Sequence, residues 1–237
     1  MLAILAFGFV VGMSHALEAD HLAAVAAMAA DGKSRKGMVM MGALWGVGHT
    51  ITLFALCTAV ILFGFALTAR TTAAFEFGVG VMLVLLGLNV LRKMRRAKVH
   101  FHVHRHEDAR PHFHAHSHLL SPVEHHVDAH RHAHRKSFSL QPLLVGLVHG
   151  AAGSAALLAF ALAAAHDAQT AIFYVLVFGI GSIFGMAALS LAASWPLGLA
   201  QRTATWLHRG VTVTIAGFAM ALGVRAIIVR WPTVWGA

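Results

Sequence analysis

Six apolar segments, at about residues 2–30, 38–67, 74–91, 140–165, 170–195 and 208–230, leave this 237-residue chain little choice of fold. About 20 such residues cross a bilayer as a helix, and in hydrocarbon only helices or closed barrels satisfy their own backbone. Each segment is at or near that length, so the sequence predicts an all-α polytopic membrane protein with six transmembrane helices. Composition agrees: 11% of residues are charged and 58% hydrophobic, against roughly 25% charged in an ordinary soluble domain. Met1 leads straight into the first segment without a basic n-region or a small-residue cleavage site, so no cleaved signal peptide is expected. Cys57 is the only cysteine, which excludes an internal disulfide and any multi-cysteine metal site.

The net charge of +9 follows the loops. Lys33, Arg35 and Lys36 fall in the first loop, Arg92, Lys93, Arg95, Arg96 and Lys98 open the third, and Arg202 and Arg209 flank the fifth. The second loop has only Arg70, and the fourth, around His166 and Asp167, has no Lys or Arg. Cytoplasmic loops are the basic ones. The odd loops are therefore placed inside and both termini outside an inner (plasma) membrane. The basic charge orients the protein, and no nucleic acid partner is expected. Trp195, Trp206, Trp231 and Trp235 stand where interfacial anchors would.

The two halves resemble each other. Gly12-Met13-Ser14-His15 is matched by Gly146-Leu147-Val148-His149, Trp45-Gly46-Val47-Gly48-His49 by Phe178-Gly179-Ile180-Gly181-Ser182, and Gly87-Leu88-Asn89 by Gly223-Val224-Arg225. The order of all three spans is kept, at separations of 133 to 136 residues. Three spans per repeat turn the second copy upside down. Such inverted repeats are a recurring plan of secondary transporters, with the site near mid-membrane. The chain divides accordingly into a first three-helix repeat (1–96), a loop (97–139) and a second repeat (140–237). The second half is read mainly as a scaffold against which the first moves.

The first span carries His15, Glu18, Asp20 and His21 near its middle. A charge at the bilayer centre costs at least ~2.5–3.5 kcal/mol, so such residues mark function. Imidazole with carboxylate is the ligand set of a divalent transition metal. His15, Glu18 and His21 fall within one arc of a regular helix, and Asp20 points away. Either the helix breaks here or the two acids have separate roles. Gly48-His49-Thr50 adds a histidine at similar depth in the second span. His15, Asp20, His21 and His49 are the candidate metal residues. Glu18 and His149 are candidates for metal binding or proton coupling.

Residues 15–21, His-Ala-Leu-Glu-Ala-Asp-His, resemble the histidine–aspartate–histidine signature of the nickel/cobalt transporter (NiCoT) family. Gly48-His49-Thr50 resembles its second signature, and the stretch from Gly146 with His149 its shorter, UreH-like branch. The resemblance implies that His15, Asp20, His21 and His49 recognise Ni²⁺ or Co²⁺. Glu18 stands where that family usually has Asp. A related exporter group has Glu there, six spans and a histidine-rich loop, but lacks the Ala-Asp that Ala19-Asp20 provides.

Thirteen of the 19 histidines lie between His100 and His134, alternating at His100, His102, His104 and His106 and again at His112, His114, His116 and His118. Such a tract reads as metal-binding, and it is expected to form a flexible cytoplasmic tether with no apolar face to hold a strand. Residues 27–34 fit a relaxed phosphate-loop pattern, but no strand precedes them, so ATP binding is rejected.

The reading is a permease and not an enzyme. It carries Ni²⁺ and/or Co²⁺ as substrate, needs no organic cofactor, and draws on membrane potential or ion coupling. Import comes first and efflux is the alternative. The different class of reading is a membrane-anchored store that delivers metal to nickel chaperones or to urease or hydrogenase maturation proteins.

Overall fold

The computed structural model describes residues 2–29, 34–96, 99–104, 112–117, 139–153, 157, 159, 161, 167–202 and 205–236. Among them lie seven helices: α1 (Leu2–His15), α2 (Ala19–Ala29), α3 (Arg35–Phe63), α4 (Ala69–Arg96), α5 (Gln141–Ala152), α6 (Ala168–Arg202) and α7 (Thr205–Trp235). The protein is a helical, multi-pass membrane protein. Helices α3, α4, α6 and α7 are each long and apolar enough to span a bilayer, and α1 with α2 forms a further candidate, bent by 54° at its break. The fourth expected span, 140–165, is described to Gly153 and at residues 157, 159 and 161, where it is helical.

The ends of α3 differ from the apolar limits read from sequence because they are set by caps. Ser34 accepts a hydrogen bond from the Gly37 N–H and starts α3, satisfying one of its free first-turn donors. Gly64 ends it in the left-handed conformation (φ 68°), its N–H returning to Val60 O. Trp195, Trp231 and Trp235 are exposed, as interfacial anchors should be.

Packing joins the two halves rather than separating them. Helix α1 lies on α6, α3 on both α5 and α6, and α4 on α7. Glycines allow backbone to meet backbone. A Cβ on Gly12 (α1) would stand 2.1 Å from Phe178 O (α6), and one on Gly146 (α5) 2.1 Å from Trp45 O (α3). Likewise Gly48 faces Leu143 O at 2.3 Å and Gly181 faces Phe9 O at 2.2 Å. In both pairs of contacts, each residue is exchanged for the one that the internal repeat equates with it. Close-packed glycine crossings tie α1 and α3 to the second half.

Helices α3 and α6 run antiparallel, with Gly42 beside Met186, Gly46 beside Ile183, and the Thr50 hydroxyl donating to Gly179 O at 3.0 Å. Two apolar clusters form along this crossing. One gathers Met38, Met41 and Trp45 of α3 with the alanine-rich face of α2, Leu83 and Leu86 of α4, and Ala216 and Ala219 of α7. The other holds Leu53 and Cys57 of α3 with Leu157, Tyr174, Val175 and Phe178.

The histidine-rich segment differs from its reading as a wholly flexible tether. Strands β1 (Val99–His104) and β2 (His112–Ser117) pair antiparallel, matching His100 with His116, His102 with His114, and His104 with His112. The alternate positions hold Val99, Phe101, Val103, Phe113 and Ala115. These are mostly β-formers at the period of a strand. His106 and His118 lie outside the described residues.

Candidate metal centre

The first span breaks inside its polar motif. Ser14 donates back to Val11 O at 2.9 Å, a bond that favours bending. Leu17 N–H reaches Ser14 O and Glu18 N–H reaches His15 O, the short spacing of a tightened last turn. Glu18 O then accepts from Leu22 N–H and opens α2. Of the two alternatives that helix geometry leaves, the structure adopts the broken helix. The acids also have separate partners.

His15, at the end of α1, has its Nδ1 on Glu18 Oε1 at 2.6 Å. His21, in the first turn of α2, has its Nδ1 on Asp20 Oδ1 at 3.0 Å. The second oxygen of Asp20 lies 3.0 Å from Nε2 of His149 on α5. Carboxylates thus hold one nitrogen of three different imidazoles, an arrangement that orients histidine toward a metal and raises its basicity. Two sets of possible metal ligands come together here. Ligand atoms of His15, His21 and His49 lie within 4.8 Å of one another, as do those of Asp20, His21 and His149. His21 belongs to both groups.

The His15 and His21 ring centroids stand 4.6 Å apart, His15 and His49 5.2 Å, and His21 and His149 4.1 Å. His21, His49 and His149 are buried. Nε2 of His15 and His21, Nδ1 of His149 and both nitrogens of His49 are buried without a hydrogen-bond partner. Leaving a buried polar group unsatisfied costs about 1–3 kcal/mol, so several at one point ask for a common partner. Neutral imidazoles around a cation supply one.

Of the residues singled out from sequence, His15, His21 and His49 meet directly. Asp20 meets His21 and His149 rather than the His15–His49 side. Glu18 supports His15 and remains 57% exposed. Sequence reading missed Trp45 and Phe178. The Trp45 ring lies 5.3 Å from His21 and 5.8 Å from His149, and Phe178 lies 5.4 Å from His15. Both were visible as equated positions in the internal repeat. An aromatic residue in an apolar span gives no signal of its own.

No family model matches the chain, and no solved structure does. The chain is 29% identical over 202 residues to the urease accessory protein UreH of Bacillus sp. strain TB-90, covering 85% of this chain and 81% of that one. The relative is named for an accessory role and not for a catalysed reaction. The chain is thus similar to this UreH over most of its length, beyond the short motifs at residues 15–21, at Gly48-His49-Thr50 and around His149.

Proposed function

We propose that this protein is a secondary transporter that imports Ni²⁺ or Co²⁺ across the inner membrane. One observation carries the proposal: three imidazoles on α1, α2 and α3 bring ligand atoms within 4.8 Å of one another among apolar helices, each has a buried nitrogen without a hydrogen-bond partner, and two of them are held by carboxylates. His15, His21 and His49 are the first ligands. Three nitrogens sharing one ion at about 2.0–2.2 Å stand roughly 3.4 Å apart in tetrahedral geometry. A modest contraction of the cluster brings them there. Asp20 orients His21 and His149, so His149 and Asp20 offer the ion a second position that shares His21.

The glycine contacts exchanged under the internal repeat support two inverted three-helix repeats, 1–96 and 140–237, joined by the histidine-rich loop 97–139. Basic odd loops support a cytoplasmic loop and outward termini. The name of the relative supports delivery of nickel toward urease, and the loop is suited to pass metal to maturation proteins. Uptake of ⁶³Ni²⁺ and ⁵⁷Co²⁺ into sealed proteoliposomes with an imposed membrane potential tests the reading. Accumulation that His21→Ala and His49→Ala abolish is the expected result. Binding without accumulation would identify a store, and accumulation only against the inward orientation would identify an exporter.

A further inference from the structure

The two apolar clusters lie on opposite sides of the histidines along the α3–α6 crossing, and each presents one aromatic ring to them. Because α3 and α6 are antiparallel, with Gly46 level with Ile183 and Thr50 level with Gly179, Trp45 and Phe178 stand at different heights. They are about six residues, or roughly 9 Å, apart along the axis. His49 lies between those heights. Side chains on a helix lean toward its N-terminus, so Trp45 leans toward loop one and Phe178 toward loop four. Trp45 covers His21 and His149, while Phe178 covers His15. Trp45 is fully buried and Phe178 nearly so.

The carboxylates Asp20 and Glu18 are 35% and 57% exposed, whereas His21, His49 and His149 are buried. Over these buried imidazoles and His15, one ring lies at each of the two heights. The Trp45 Nε1 atom is buried with no hydrogen-bond partner. The closed position therefore withholds a partner that a swung ring would find in water.

We propose that Trp45 and Phe178 are paired lids, one for each side of the membrane, related by the internal repeat. Alternating access then consists of moving one ring aside while the other stays seated. The inference rests on the transport reading above, but its test does not depend on metal.

In a Cys57→Ala background, His49→Cys places a thiol between the heights of the two rings. A membrane-impermeant maleimide is applied to right-side-out and to inverted vesicles containing the full chain. Phe178→Ala should speed labelling of this thiol from the loop-four side about tenfold or more and leave its rate from the loop-one side unchanged. Trp45→Ala should do the reverse.

Phe178→Leu and Trp45→Leu, which keep more of the packing, are read in the same way if an alanine variant fails to insert. A lid variant that opens the opposite side, opens both sides, or leaves labelling from its own side unchanged overturns the proposal. Equilibrium ⁶³Ni²⁺ binding to the wild-type protein is measured separately. Loss of metal binding there refutes the transport reading while the labelling pattern still decides the lids.

Discussion

Gly146→Ala is a one-carbon change that should damage both the fold and the site. The added Cβ would stand 2.1 Å from Trp45 O and 2.8 Å from His49 N. Real Cβ contacts do not fall below 3.0 Å, so α5 and α3 must part by about 1 Å. Neither helix can yield by rotating a side chain, because the opposed atoms are backbone. Overpacking of this kind costs about 1–3 kcal/mol. The same displacement moves His149 on α5 out of its group with Asp20 and His21, and metal distances tolerate only about ±0.2 Å. Nickel affinity should therefore fall by about 10–100-fold, the range seen when the support of a ligand is disturbed. Gly217→Ala is the control: nothing lies within 4 Å of its new Cβ, and helix propensity favours alanine by about 1 kcal/mol. Thermal unfolding in detergent and ⁶³Ni²⁺ binding are measured for both. A Gly146→Ala protein as stable as the wild type, with unchanged affinity, would refute the close-packed α3–α5 crossing and the placement of the histidines that depends on it.

Asp20→Asn keeps the shape of the side chain but not its charge; it should weaken nickel binding by about 10–100-fold, measured by equilibrium dialysis, with Glu18→Gln milder because that acid is more exposed. Thr50→Val removes the hydroxyl bond to Gly179 O and should lower unfolding stability by about 0.5–1.5 kcal/mol. Deleting 97–139 should lower the number of bound nickel ions while liposome uptake persists. Metal bound by that loop should be released as pH falls below about 6.5, because histidine binds metal only when neutral; a binding count that does not change with pH would contradict this. Arg230→Ala breaks the ion pair with Glu76 between α7 and α4. Both partners are partly exposed, so the loss of stability should stay within about 1 kcal/mol.

The membrane-spanning helices and the polar motif in the first of them were legible in the order of residues, because hydrocarbon accepts few alternatives to an apolar helix. The glycine spacing of the repeat was legible too, although its meaning was not. In the fold the same glycines are where the backbones of α1, α3, α5 and α6 meet. The hairpin in the histidine tract was hidden by attention to the histidines; the alternate Val and Phe positions carried its period.

By itself the sequence determined that His15, His21 and His49 share a depth within the membrane, since depth follows from counting residues along a helix. Only the tertiary structure decided which of them meet. The 54° break turns His21 back toward His15, Asp20 reaches across to His149, and Trp45 and Phe178 pack against different histidines. The last two depend on contacts between spans, the Asp20–His149 pair joining residues 129 apart, and such contacts are set by helix crossings that no local pattern encodes.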